Sequence, residues 1–88
     1  MTRTVRGKFD NDQAAEIIRL TGQNWKKNKA AYVARSKMND FSGGIYNSRT
    51  MANRDCDGTG PAGAFRIGRQ VCYTVDSLCE WLIARLGA

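Results

Sequence analysis

Residues 58–82 constrain this chain more than any other stretch, because they spell a very short basic hairpin running directly into an amphipathic helix. Phe65 and Ile67 alternate with Arg66, Gly68-Arg69 is a tight-turn dipeptide, and Val71 and Tyr73 alternate with Gln70 and Cys72 on the return. This spacing predicts a hairpin over 64–73, with Phe65, Ile67, Val71 and Tyr73 forming an apolar face and guanidinium groups on the other. A two-stranded hairpin is marginal alone, so the apolar face needs a packing partner, and the next residues supply one. Thr74 is a good N-cap, Asp76 sits in the first turn where the helix dipole favours it, and Val75, Leu78, Leu82 and Leu86 recur at three- and four-residue steps, with Trp81 widening the stripe. Arg85 in the last turn and Gly87 just beyond suit a C-terminus.

Upstream, Asp10 with Gln13 three residues on forms a capping box for a helix over Asp12 to Leu20. Ala14, Ile17 and Ile18 share one face of it, and Gly22 ends it. Asn24 can cap a second, basic helix from Trp25 to Met38, with Ala30, Tyr32 and Val33 as its apolar side. Asn39-Asp40 and Gly43-Gly44 punctuate the next stretch, and a short helix is expected over 48–54. The order is therefore helix, basic helix, loop, short helix, loop, hairpin, helix.

The strings Ser48-Arg49-Thr50-Met51-Ala52-Asn53-Arg54, Gly58-Thr59-Gly60-Pro61 and Phe65-Arg66-Ile67-Gly68-Arg69, followed by Val71, Tyr73, Leu78 and Trp81-Leu82, resemble the excisionase and AlpA-type group of small phage DNA-binding proteins. That group is related in fold to the winged helix-turn-helix of MerR-type regulators. The resemblance covers residues 46–86, and its most specific part is the Arg-Ile-Gly-Arg hairpin before a Leu-x-x-Trp-Leu helix. It implies an α+β fold: a winged helix-turn-helix of three to four helices with a two-stranded wing, forming a single domain over 1–88. One departure stands out. In the family the first helix of the helix-turn-helix lies only a few residues before the Ser-Arg-Thr helix, whereas here the 12–20 candidate is more than twenty residues away. Residues 23–46 then read as an inserted basic helix and loop, or the first helix is a different one. Two recognition helices remain open, 48–54 by resemblance and 25–38 by charge.

Charge is unevenly distributed. The 88 residues hold 14 Lys or Arg against 8 acids, a net of +6, and all of the excess lies in residues 1–38. A phosphate backbone attracts such cations through counterion release. A footprint on DNA would then include Arg3, Arg6, Lys8, Lys26, Lys27, Lys29, Arg35 and Lys37, against the plainer reading of Lys26, Lys27 and Lys29 as a solvated helix face. On the resemblance, helix 48–54 enters the major groove with Asn47, Arg49, Thr50 and Asn53 toward bases, Ser48 also in the DNA-binding set and Arg54 on phosphate. Arg grips guanine and Asn grips adenine through two hydrogen bonds each. Arg66 and Arg69 of the wing would meet the backbone or a narrow minor groove. The structural alternative pairs Arg49 or Arg66 with Asp55 or Asp57 on the protein itself.

Other classes find little support. There is no histidine, no phosphate-cradling glycine loop and no activated nucleophile pattern, so no enzymatic activity and no cofactor are expected. Cys56, Cys72 and Cys79 lack disulfide-framework and metal-ligand spacing, Cys72 and Cys79 are expected to be reduced thiols, and Asp55 and Asp57 read as solvated turn formers. No apolar run is long enough to span a bilayer and no secretory signal is evident, giving the expectation of a cytoplasmic protein without membrane contact. The expected partner is double-stranded DNA. The resemblance adds excision or transcription control in a phage or mobile element, an integrase or host protein as second partner, and cooperative self-association on DNA. A competing reading is a phage-encoded interaction module that docks on a host protein through Trp25, Tyr32, Phe41, Ile45 and Tyr46.

Overall fold

The computed structural model describes residues 10–86. Asp10 opens helix α1 (Asn11–Asn28) with the expected capping box: its carboxylate accepts from the Gln13 N–H (2.8 Å) and the Gln13 side chain accepts from the Asp10 N–H (3.1 Å). The helix does not stop at Gly22. A Cβ there would stand 2.5 Å from Cys79 Sγ and 3.0 Å from Val75 Cγ1, so Gly22 marks the crossing of α1 over the C-terminal helix, not a cap. The buried positions of α1 are accordingly Ala15 and Gly22, while Ile17 is exposed.

The expected basic helix over 25–38 does not form. Its first residues complete α1, which ends at Lys29 with that N–H donating to the Trp25 carbonyl (2.8 Å). The chain then extends into strand β1 (Tyr32–Ala34), where β-branched and aromatic side chains suit a pleated surface. Trp25 Nε1 donates to the Tyr32 carbonyl (3.1 Å) and fastens the strand to the helix. A 3-10 turn (Arg35–Lys37) leads into the short helix α2 (Met38–Phe41). Gly43 and Gly44, both at positive φ, reverse the chain toward α3 (Ser48–Asp57). That helix runs three residues beyond the expected 54, stopping at left-handed Gly58 (φ 78°). Strands β2 (Phe65–Ile67) and β3 (Gln70–Thr74) follow, and Thr74 caps helix α4 (Val75–Ala84) as anticipated, its Oγ1 accepting from the Ser77 N–H (3.1 Å).

Among the described residues the result is an α+β arrangement of four α-helices and one antiparallel sheet of three strands, ordered β1-β3-β2. The two-stranded hairpin expected from the sequence thus gains an edge strand from residues 32–34, and residues 23–46 supply the end of α1, strand β1, the 3-10 turn and α2.

Register decides what each sheet face carries. Gly68-Arg69 closes a two-residue loop with Ile67 opposite Gln70, Arg66 opposite Val71 and Phe65 opposite Cys72. Residues directly opposite share a face. Val33, Val71 and Tyr73 therefore point one way together with Arg66, and Val33 and Tyr73 join Met38, Phe41, Met51, Val75, Leu78 and Cys79 in the core. Phe65 and Ile67, expected in the core, lie on the other face with Tyr32 and are exposed at 37, 50 and 41%. The hairpin's apolar set is split because strand alternation reverses across the two-residue turn.

The α1–α4 crossing yields a test. Gly22→Leu is expected to lower the stability by about 1–3 kcal/mol through overpacking, in spite of leucine's better helix propensity. A urea midpoint at or above wild type would show that the helices do not approach this closely.

Candidate nucleic-acid interface

Helix α3 is polar on most of its surface and buries one apolar residue, Met51. At 3.6 residues per turn, Arg49 and Asn53 fall four apart on the side away from Met51, with Cys56 beside them. All three are exposed, and neither Arg49 nor any other α3 arginine takes part in an ion pair among the described residues. Asn47 and Thr50, also expected to reach bases, are otherwise engaged. The Asn47 Oδ1 accepts from the Thr50 N–H (2.9 Å) and from the Thr50 hydroxyl (3.1 Å), so both serve the N-cap. Ser48 is exposed in the first turn and Arg54 is half-buried, its carbonyl accepting from the Thr59 N–H (2.9 Å).

The hairpin sits beside this helix. Arg66 shares its sheet face with Val71 and Tyr73, and Tyr73 reaches α3 directly, its hydroxyl donating to Asp55 Oδ2 (2.6 Å). Arg66 therefore projects from the face that carries α3, and Arg69 stands in the turn at the hairpin's tip, both exposed and outside the ion pairs of the described residues.

The proposed pairing of Arg49 or Arg66 with Asp55 or Asp57 is not found. Asp55 is held by Arg35, whose Nη2 donates to Oδ2 while its Nε donates to the Tyr73 hydroxyl (3.1 Å). Arg35, expected in the phosphate footprint, is thus paired within the protein itself, and Asp55 is no solvated turn former. Sequence spacing held no signal for this cluster, since its members lie 18 to 38 positions apart. The neighbouring Gly60 fits against Asp55 so closely that a Cβ there would overlap the carboxylate.

Of the basic residues at the end of α1, Lys26 pairs with Asp76 at the start of α4 (2.6 Å) and Lys29 lies over the Trp25 ring (5.2 Å to its centroid). Lys27 and Lys37 are exposed and in no ion pair of the described residues. Because α1 packs on α4 while α3 packs on the 3-10 turn and α2, the lysines of α1 do not belong to the α3 surface, whereas Lys37 lies in the turn on which α3 packs. Arg3, Arg6 and Lys8 lie outside the described residues. Among the aromatics assigned to a docking face, Trp25, Phe41 and Tyr46 pack on or in the core, leaving Tyr32 and Ile45 exposed. Cys72 and Cys79 are buried free thiols and Cys56 is an exposed one. Among the described residues no group of three His, Cys, Asp or Glu side chains could hold a metal ion, and no helix is long and apolar enough to cross a membrane. No family model, curated protein or solved structure matches the chain.

Burial pushes the Tyr73 phenol up to about 12, Arg35 opposing the shift and Asp55 adding to it; the Arg35 guanidinium is itself held above its ordinary value, chiefly by its hydrogen bond to Tyr73. A phenol that holds its proton more tightly when folded stabilises the fold fully below about pH 10 and loses that contribution as pH rises toward 12. Urea stability of the wild type is therefore expected to fall between about pH 10 and 12. Tyr73→Phe should flatten that fall, and an unchanged alkaline slope would count against the buried phenol.

Proposed function

We propose that this chain is a winged helix-turn-helix protein that binds double-stranded DNA with sequence preference. On this reading α2 and α3 are the two helices of the motif, which answers the spacing puzzle of the sequence. The first helix is 38–41 with its preceding turn, a few residues before α3, and α1 with β1 is an N-terminal addition. Helix α3, not a helix over 25–38, is the reading helix, and β2–β3 is the wing.

The observation that carries the reading is the combination of Arg49 and Asn53 on the outward face of α3, outside every ion pair of the described residues, with Arg66 and Arg69 on the adjoining hairpin. Arginine and asparagine four residues apart on one helix face suit bidentate contacts to guanine and adenine in the major groove. The two hairpin arginines suit phosphate or a narrow minor groove. Asn47 and Thr50 contribute by holding the helix start, and Ser48 and Arg54 lie at the margins of the contact. The resemblance to excisionase and AlpA-type proteins extends the proposal to directing excision or regulating transcription in a phage or mobile element, with an integrase as protein partner. So small a footprint favours several copies acting side by side.

A second reading is favoured by one feature. Ile17, Ile45, Tyr46, Leu82 and Leu86 line an apolar surface groove of about 350 Å3 between α1, the α2–α3 connection and the end of α4. Such a groove fits a protein-interaction module aimed at a host protein.

Salt-titrated binding to a duplex selected from a random pool separates the two. The DNA reading expects steep salt dependence, with Arg49→Ala costing about 1–3 kcal/mol and relaxing base preference at one position, and Arg69→Ala weakening all duplexes alike and lowering the salt slope by about one unit. Salt-insensitive or absent duplex binding by the wild type would abandon it in favour of the interaction module.

A further inference from the structure

We infer that the Arg35–Asp55–Tyr73 cluster is the positioning device that fixes the roll of α3 relative to the hairpin, and so governs discrimination between DNA sites and not general affinity for DNA. The inference rests on the duplex-binding reading above. Its physical basis is the scarcity of apolar anchoring on α3. Met51 is the one buried residue of the helix, and apolar packing, being non-directional, sets the rotation of a helix about its axis less sharply than its position. Asp55, one turn further on, adds a directional constraint within the helix itself, beside the contacts from α4 to the segments that flank it.

Hydrogen bonds weaken steeply as they depart from linearity, so they lock an angle that packing leaves free. Asp55 Oδ2 accepts from the Tyr73 hydroxyl (2.6 Å) and from Arg35 Nη2, and Arg35 Nε donates to the same Tyr73 oxygen (3.1 Å), closing a three-membered ring of donors and acceptors. The other carboxylate oxygen abuts Gly60. The ring joins the 3-10 turn, α3 and β3, with the loop leading to β2 packed against it. β3 is also one strand of the hairpin, so a single carboxylate sets the reading helix against the strand that carries the wing. Tyr73 is fully buried, and the Arg35 and Asp55 side chains are only 24 and 21% exposed, which keeps all three away from the outward face of α3. They act through Arg49 and Asn53, whose direction they determine.

The test uses Tyr73→Phe, which removes the hydroxyl from the ring while keeping the ring's volume, and Asp55→Asn, which keeps an acceptor for Tyr73 but loses the charge. Affinities for the selected duplex and for random duplex are measured over a salt series at a temperature where thermal melts show each variant folded. Tyr73→Phe is expected to lower the selected-to-random ratio by about tenfold or more with the random-duplex salt slope unchanged, and Asp55→Asn to fall between it and the wild type. Equal losses on both duplexes, or an unchanged ratio in a folded variant, would overturn the inference.

A DNA-free measurement keeps it separable from the duplex reading. Spin labels on the exposed native Cys56 of α3 and on Arg69→Cys at the hairpin tip report the helix-to-wing distance. A broader or displaced distribution in Tyr73→Phe supports positioning, and an identical distribution rejects it. If the wild type prefers no duplex, the proposed function falls while this comparison still decides whether the cluster positions α3.

Discussion

The carboxylate of Asp55 is where the architecture is tied together. It takes donors from a 3-10 turn and from the central strand, rests against Gly60 in the loop that leads to the hairpin, and belongs to α3, whose one buried residue is Met51. Removing two partly buried charges from water is costly, and the geometry offsets this with two donors to one carboxylate oxygen and a third bond between the donors themselves. Such an arrangement contributes orientation more than net stability. The apolar core proper is made elsewhere, by Val33, Met38, Phe41, Tyr73, Val75 and Leu78, and α3 enters it through Met51 alone.

The central strand β3 mediates between these two regions. Tyr73 places its ring in the core and its hydroxyl in the polar cluster, while Cys72, facing the other way, is buried between its cross-strand neighbours Phe65 and Ala34. The outer sheet face is left with Tyr32 and Phe65 in edge-to-face contact (6.2 Å) and Ile67 beyond them. Similar polar fastening recurs along α4. Arg85 lies over the Trp81 ring and donates to the Tyr46 hydroxyl (3.0 Å), and Trp81 Nε1 donates to the Thr59 carbonyl (2.7 Å), so α4 holds both the segment before α3 and the one after it. The helix of the proposed interface is thus framed on either side by directional contacts.

Net charge proves a poor map of the candidate surface. The cationic excess of the first 38 residues is spent partly within the fold: Arg19 on Glu16, Lys26 on Asp76 and Arg35 on Asp55. The first two pairs are solvent-exposed and hold little stabilisation, so their cations remain able to exchange partners with a phosphate. On the proposed reading, bases are met from the electrically balanced half of the chain, by Arg49, Asn53, Arg66 and Arg69. The cations of α1 then act as a diffuse field that attracts DNA without reading it.

Local signals in the sequence were enough to determine the ends and types of several elements: the Asp10–Gln13 capping box, the Thr74 cap, the Gly68-Arg69 turn, and the apolar stripe of the last helix. Each depends on neighbours within four residues, where backbone geometry alone dictates the interaction. Other features depend on partners far apart in the chain. Gly22 looks like a stop until Cys79 and Val75 lie against it, and Trp25–Met38 looks helical until β3 offers Tyr32–Ala34 a strand to pair with. Phe65 and Ile67 look like core until the turn register turns them outward, and Asp55 looks like a turn former until Arg35 and Tyr73 close around it. Propensity and periodicity describe a segment against water, whereas pairing, close approach and buried hydrogen bonds describe it against another segment, and in so small a core the second set overrides the first.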